Sequence, residues 1–161
     1  MGQFCSGYDT SQKWQLNESG IAIMPMGATE QHGSHLPLNT DTITASYFAE
    51  YVAKELHAML LPPMPFGTSL EHAGFRGTIS LKPEVLISFI QNITDELEAQ
   101  NIRFFIIMNG HGGNFAMSPA VRQINRQDRK IKVLIINCWE FQNHPSKQPE
   151  VHAGEGETSL M

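Results

Sequence analysis

The sequence predicts an α/β fold in which a mostly parallel sheet lies between layers of helices. Short apolar segments of strand length alternate along the chain with segments of helical periodicity, as in β-α-β units. The segment IRFFIIMNG (102–110) is apolar almost throughout, as expected for a strand covered on both faces. Polar clusters follow two of the strands at their carboxyl ends, which is where ligands bind in such sheets.

The first half of the chain predicts two strands separated by a helix. The run IAIMPM (21–26) is typical of a buried strand. The segment DTITASYFAEYVAKELH (41–57) has helical periodicity, and Thr40 or Asp41 can cap this helix. A second short strand is expected within AMLLPPMPFG (58–67), where prolines end it.

The second half continues the alternation. The short extended segment GTISL (77–81) precedes a strongly amphipathic helix with Pro83 in its first turn. The elements expected here are a helix over 82–101, a strand over 102–110, a helix over about 115–128 and a strand over 132–139.

Length and composition indicate one globular domain over residues 1–161, in which residues 1–20 are polar and expected to be irregular.

The formal net charge of -5 argues against a nucleic-acid-binding protein. No apolar run reaches the roughly 18 residues of a membrane span, so no membrane partner is expected. Two scattered cysteines predict a reducing, cytoplasmic location, and the low charged fraction of 17% suggests that neighbouring subunits cover part of the surface.

The stretch ATEQHGSHLPLNTD (28–41) concentrates acids and imidazoles directly after the first strand. Gly33 and Pro37 exclude a helix here, and in extended chain Glu30 and His32 project to the same side. We therefore expect a site built on a strand end and its loop.

Two further clusters are expected at the same edge of the sheet. His111 lies in NGHGGN (109–114), after the most hydrophobic strand, and VHAGEGETS (151–159) supplies His152, Glu155 and Glu157. Each residue alone has a structural interpretation, such as a loop acid, a helix cap or a surface histidine. Together, histidines and carboxylates from three loops predict a metal site.

Four segments resemble the signatures of the creatininase (creatinine amidohydrolase) family: GATEQHGSHLPLNTDT, EHAGFRGTISL, NGHGGN and HAGEGETSLM. The resemblance covers about residues 20–161. It implies a three-layer α/β/α sandwich, a site for two divalent ions (zinc or manganese, in some members iron) and hydrolysis of C–N bonds in cyclic or linear amides. It further implies a homo-oligomer, expected to be a hexamer, that acts on a small-molecule amide.

The resemblance also implies a role for each matching residue. Glu30 and His32 correspond to ligands of one ion each, Asp41 to the carboxylate that bridges both ions, and His111 to the imidazole that closes one of them. A bridging carboxylate suits two cations about 3.5–4 Å apart. His152 corresponds to the histidine that acts as general acid and base on the leaving nitrogen.

The chain departs from the creatininases proper at several positions. Gly113 stands where they carry a glutamate that binds the second ion. We expect Glu155 to replace that ligand, with Glu157 as the alternative ligand or as an acid that orients one. His72 and Trp139 are assigned to the substrate pocket. With no second tryptophan after Trp139, creatinine itself is not the expected substrate.

Further alternatives stay open at this stage. Arg76 in FRGT faces either an anionic substrate or solvent. The ending ETSLM, where Thr158 or Ser159 can cap a helix, leads us to expect a C-terminally truncated form of the family fold.

The main functional hypothesis is a metal-dependent amidohydrolase, and the alternative is an inactive fragment that keeps the ligand loops and serves in binding or assembly. A serine hydrolase is not indicated, because no Gly-x-Ser-x-Gly elbow occurs.

Overall fold

A computed structural model describes residues 3–141 and 152–161. The helices are α1 (Ser11–Gln15), α2 (Thr40–Glu55), α3 (Pro83–Ala99), α4 (Met117–Arg126) and α5 (Glu155–Leu160). The strands are β1 (Cys5–Ser6), β2 (Ile21–Met26), β3 (Met59–Leu60), β4 (Phe104–Asn109) and β5 (Lys132–Asn137). Short 3-10 turns follow β4 and β5, over Gly112–Ala116 and Cys138–Phe141.

The five strands form one sheet in the order β1-β3-β2-β4-β5, and every pairing is parallel. The chain passes from β2 outward to β3, and then crosses back to β4 on the other side of β2. The point between β2 and β4 is therefore the topological switch point, where α/β sheets open a crevice. Met26 pairs with Asn109, so the segments that follow these two strands begin side by side.

Side chains on β2 and β4 alternate between two hydrophobic cores, as the two-residue period of a strand requires. Phe105 and Ile107 pack in one core with residues of α3 and α4, whereas Ile106 and Met108 pack in the other core with α2. Helices therefore cover both faces of the sheet, and the predicted three-layer α/β/α sandwich is confirmed. None of the described helices is long and apolar enough to cross a bilayer.

The N-terminal segment is more ordered than predicted. Cys5 pairs with Met59 and is fully buried, which adds β1 to the edge of the sheet. Trp14 on α1 donates a hydrogen bond from Nε1 to the carbonyl oxygen of Ser6 at 2.8 Å. These two elements have two and five residues, too few to show a hydrophobic period in the sequence.

Two predicted helix caps are wrong. Helix α2 has Asn39 at its N-cap position, and Thr40 donates its hydroxyl hydrogen to the carbonyl oxygen of Pro37 instead of capping. Asp41 lies in the first turn of α2. Near the C-terminus, Thr158 and Ser159 lie inside α5, which begins earlier than predicted, after Gly154.

Candidate metal centre

The carboxyl edge of the sheet gathers four buried polar side chains from separate segments. The segment after β2 supplies Glu30 and His32, the first turn of α2 supplies Asp41, and the segment after β4 supplies His111. Their exposed fractions are 0%, 0%, 2% and 5%. Carboxylates are almost never buried so completely unless they are paired or bind a cation.

Two glycines allow α2 to bring Asp41 to this edge. A Cβ atom at Gly27, just after β2, would lie 2.3 Å from the backbone nitrogen of Thr42. A Cβ atom at Gly110, just after β4, would lie 2.2 Å from the carbonyl oxygen of Asp41. Only glycine permits the start of α2 to press this closely against both strand ends.

Glu30, Asp41 and His111 form a group that we call the inner half-site. His111 Nδ1 lies 3.0 Å from Asp41 Oδ2 and 3.3 Å from Glu30 Oε1. In the described part of the chain, both carboxylate oxygens of Glu30 are buried without a hydrogen bond, and the buried Oδ2 of Asp41 faces only the His111 nitrogen. Two carboxylate oxygens beside one imidazole nitrogen, one each from Glu30 and Asp41, form a donor set that suits a divalent cation.

His32, Asp41 and Glu157 form a second group, the outer half-site. His32 Nε2 lies 3.0 Å from Asp41 Oδ1 and 4.0 Å from Glu157 Oε1. Asp41 therefore directs one carboxylate oxygen to each half-site, which is the arrangement of a bridging ligand.

Backbone carbonyls fix the orientation of both imidazoles. His32 Nδ1 lies 3.2 Å from the carbonyl oxygen of Glu30, and His111 Nε2 lies 2.9 Å from that of Thr68. Because a carbonyl can only accept, each of these nitrogens carries the hydrogen. In the neutral rings, the opposite nitrogens then point lone pairs at Asp41, so a cation or a proton must lie between each pair.

The ionisation of the ion-free cluster agrees with this geometry. Burial alone would lower the pKa of His32, but the Asp41 carboxylate outweighs burial and raises the pKa of His32 to about 9. The pKa of His111 is also raised, because Asp41 and Glu30 together outweigh burial. The two imidazoles in turn hold the pKa of Asp41 below its usual value, against the effect of burial. Without an ion, protons on His32 Nε2 and His111 Nδ1 therefore occupy the positions between each imidazole and Asp41.

His152 and His72 lie beside this cluster. His152 Nε2 is 2.7 Å from the carbonyl oxygen of Gln31, and its Nδ1 is 3.6 Å from Glu30 Oε1. Glu30, His32 and His152 form a third group of potential ligand atoms. His72 Nε2 lies 3.7 Å from the same Glu30 oxygen. His152, predicted for acid–base chemistry, and His72, predicted for the substrate pocket, therefore both border the Glu30 carboxylate.

Helix α5 brings Glu157, rather than Glu155, to the cluster. Glu155 is exposed and belongs to none of the three groups found among the described residues. Glu157 also accepts a hydrogen bond from the backbone nitrogen of Ala153. Two positions along a helix correspond to about 200°, so the two carboxylates point to opposite sides of α5. The preference for Glu155 came from the ligand missing at Gly113, and it did not include the helical phase of α5.

The other predicted positions lie around this edge. A Cβ atom at Gly113 would lie 2.2 Å from the carbonyl oxygen of Thr68 and 2.4 Å from His111 Nε2, so this backbone admits no glutamate there. Trp139 lies in the turn after β5 and is 36% exposed. Arg76 is exposed.

Sequence reasoning missed the residues that position the candidate ligands. Asn109 Oδ1 accepts hydrogen bonds from the backbone nitrogen of His111 at 3.2 Å and from the side chain of Asn114 at 3.1 Å. Asn114 Oδ1 in turn accepts from the backbone nitrogen of Thr68 at 3.1 Å. The two asparagines flank His111 in NGHGGN and could have been noticed there, whereas nothing in the sequence marks the carbonyl of Thr68 as a partner.

Fold and site together define a class of protein, namely three-layer α/β/α proteins with a buried centre of histidines and carboxylates at the switch point of the sheet. Side chains of these types are the ones that bind divalent ions in proteins. Residues 9–161 match the family model Creatininase, described as creatinine amidohydrolase. The chain belongs to the creatininase family, as the signature segments predicted.

Known proteins similar to the chain include two enzymes and two solved creatininases. A mycofactocin precursor peptide peptidase of Mycobacterium ulcerans (strain Agy99) is 36% identical over 94% of the chain. A creatinine amidohydrolase of Pseudomonas putida is 29% identical over 92% of the chain and 68% of its own length. A manganese form of creatininase matches 100% of the chain and 72% of its own, with 27% identity and a TM-score of 0.82. A mutant creatininase of the Zn-Zn type matches 96% of the chain and 70% of its own, also with 27% identity and a TM-score of 0.82.

The chain spans 62 to 64% of the length of the mycobacterial relatives. The matched residues 9–161 contain strands β2 to β5, the switch point and the three groups of potential ligands found among the described residues.

Proposed function

We propose that the chain acts as a metal-dependent hydrolase that cleaves the C–N bond of an amide. The observation that carries the proposal is the pair of half-sites that share Asp41, together with the Glu30 carboxylate, whose two oxygens are buried without a hydrogen bond among the described residues. A mixed set of imidazole nitrogens and carboxylate oxygens suits zinc or manganese, and also iron. Ions bound there would supply Lewis acidity, which lowers the pKa of a water molecule and polarises a carbonyl group.

The chain's own residues would hold two such ions. Glu30 and His111 serve the inner half-site, His32 and Glu157 serve the outer one, and Asp41 contributes to both. The carbonyl oxygens of Glu30 and Thr68 keep the two imidazoles in the tautomers that offer a lone pair. Nearly complete burial of the four central ligands excludes bulk water and strengthens their electrostatic interactions.

His152 is the proposed general acid and base. Its Nε2 is held by the carbonyl oxygen of Gln31, which leaves Nδ1 on the side of the cluster, 3.6 Å from Glu30 Oε1. A group at this position can take a proton from a nucleophile and return it to the leaving nitrogen.

The proposed substrate is an amide other than creatinine. Similar proteins are described as a precursor peptide peptidase, a creatinine amidohydrolase and a formylamino-pyrimidine deformylase, all of which are named for compounds with C–N bonds. Gly113 cannot carry the glutamate of the creatininases proper, and Trp139, in the turn after β5, is followed by no second tryptophan in the sequence. Both differences favour a linear amide, such as a peptide or a formamide, over the cyclic creatinine.

The inactive-fragment hypothesis is less well supported. The predicted histidines and carboxylates other than Glu155 converge within the described residues, as an active hydrolase requires. The single domain over 1–161, the homohexamer and the cytoplasmic location stay predictions.

The test is metal analysis of the purified chain, followed by an activity screen on creatinine, formamides and short peptides. We expect two equivalents of zinc or manganese and turnover of a linear amide that a chelator abolishes. Asp128→Asn, at an exposed position on the surface, is the matched control for substitutions of Asp41. A chain that binds no divalent ion, or that hydrolyses amides equally well after chelation, would contradict the proposal.

A further inference from the structure

Gln31 contacts two imidazoles that border the cluster. Its backbone carbonyl oxygen lies 2.7 Å from His152 Nε2, and its side-chain Nε2 lies 2.8 Å from His72 Nδ1. The rings of His72 and His152 are stacked, with centroids 4.3 Å apart and planes inclined by 29°. One residue between two ligands therefore reaches both rings of this pair.

The hydrogen bonds of Gln31 identify which atom faces His72. The backbone nitrogen of Gly33 donates a hydrogen bond to Gln31 Oε1 at 3.0 Å. Because a backbone N–H can only donate, the oxygen of the amide faces Gly33 and the NH2 group faces His72. His72 Nδ1 is therefore an acceptor, and in the neutral ring the hydrogen is carried by Nε2.

The same reasoning gives the opposite result for His152. The carbonyl oxygen of Gln31 can only accept, so His152 Nε2 carries the hydrogen and Nδ1 of the neutral ring offers a lone pair. Two ring nitrogens therefore face the cluster. His72 Nε2, 3.7 Å from Glu30 Oε1, carries a hydrogen, whereas His152 Nδ1, 3.6 Å from the same oxygen, carries a lone pair.

We propose that Gln31 is a positioning residue that sets these stacked histidines in complementary tautomers, so that His72 presents a hydrogen-bond donor beside the acceptor presented by His152. The inference rests on the proposed function, because the donor is assigned to the carbonyl oxygen of the amide. Negative charge develops on that oxygen during attack, and a fixed donor stabilises it. His72 then acts on the substrate instead of merely lining the pocket.

The first test reads the tautomer and does not depend on activity. Nitrogen-15 NMR of the ion-free protein, in solution alkaline enough to leave the rings neutral, should show His72 protonated at Nε2 and not at Nδ1. In Gln31→Glu, the carboxylate can only accept, so the proton should move to Nδ1. Gln123→Glu, at an exposed position on α4, adds the same charge on a helix that contributes no residue to the three groups and should change neither signal. A wild-type His72 protonated at Nδ1 would overturn the inference.

The second test is kinetic and uses the metal-loaded enzyme with the amide found in the screen. Gln31→Glu should lower kcat about 10²-fold, the usual effect of losing one donor at a developing oxyanion. Gln31→Met, which leaves both tautomers accessible, should lower kcat about tenfold without loss of metal. In a His72→Ala background, Gln31→Met should have no further effect beyond about twofold. An equal effect of Gln31→Met in both backgrounds would show a merely structural role and overturn the inference.

The two tests separate the inference from the proposed function. If the metal-loaded protein hydrolyses no amide, the proposed function fails, and the assignment of the His72 donor to a substrate carbonyl fails with it. The NMR result still decides whether Gln31 sets the tautomers.

Discussion

The inner and outer half-sites share Asp41 but are built in different ways. The inner half-site consists of Glu30, Asp41 and His111, which are at most 5% exposed and lie on segments that follow strand ends or begin α2. The outer half-site adds Glu157, whose side chain is 25% exposed, from the short terminal helix α5. The sheet thus preforms one half-site, whereas the other depends on the docking of a helix.

Side-chain contacts among the described residues connect α5 and the residue just before it to the segment after β2. His35 Nε2 lies 3.1 Å from Thr158 Oγ1, and His152, just before the helix, is held by the carbonyl oxygen of Gln31. Of the residues of α5, only Gly156 is buried. A ligand on such a segment loses more conformational entropy on binding an ion than one held by a sheet. We therefore expect the outer ion to bind more weakly than the inner ion.

The largest effect is expected from Asp41→Asn, which removes the charge that both half-sites share. The loss of a bridging charge should release at least one ion and lower turnover by about 10³-fold or more. Circular dichroism should show that the fold is retained, since Asp41 does not cap α2. A variant with both ions and full activity would contradict the shared-ligand assignment.

His152→Ala tests whether His152 transfers protons or binds an ion. We expect turnover to fall by about 10²–10⁴-fold, the usual contribution of a positioned proton donor, while both ions stay bound. His152 also belongs to a group with Glu30 and His32, so loss of an ion in this variant would instead make it a ligand.

The pair Glu157→Gln and Glu155→Gln tests the dependence of the outer half-site on α5. Glu157→Gln should weaken the binding of one ion by at least about tenfold and leave the inner ion unchanged. Glu155→Gln, on the opposite side of the same helix, is the matched control and should change neither ion. Isothermal titration calorimetry with zinc would measure both, and the reverse order of effects would restore Glu155 as the ligand.

The last expected effect on ion binding concerns pH. Because the pKa of His32 is raised to about 9 in the ion-free protein, an ion that binds the outer half-site must displace a proton below that pH. Outer-site affinity should therefore rise by up to about tenfold per pH unit toward pH 9. Proton release, measured by calorimetry in buffers of different ionisation enthalpy, should accompany binding, and affinity independent of pH would contradict the raised pKa.

The raised pKa of His32 also predicts how the stability of the ion-free protein changes with pH. A raised pKa in the folded state means that the contribution of His32 to the free energy of unfolding is complete below its unfolded pKa, about 6.5. It is lost as the pH rises through about 9. Denaturant unfolding of the chelator-treated protein should show this decline, and His32→Gln should reduce it.

Local patterns in the sequence were sufficient to predict most of the architecture. The apolar runs became β2 and β4 within two residues of the predicted limits, and the helices over 41–57 and 82–101 became α2 and α3. The inward position of Glu30 and His32 followed from their spacing in extended chain, since a two-residue period places both on one side. These features depend on neighbours in sequence, which a linear pattern records.

Tertiary structure decided the features that depend on where a segment begins and on what it packs against. The start of α5 at Glu155 sets its helical phase, and that phase brings Glu157 to the cluster and turns Glu155 away. The tautomers of His32 and His111 depend on the carbonyl oxygens of Glu30 and Thr68, and the second of these comes from a segment 43 residues away in sequence. The residue types of the proposed ion site are thus encoded in the sequence, whereas the choice of candidate ligand atoms depends on contacts that form only when the sheet and its helices pack together.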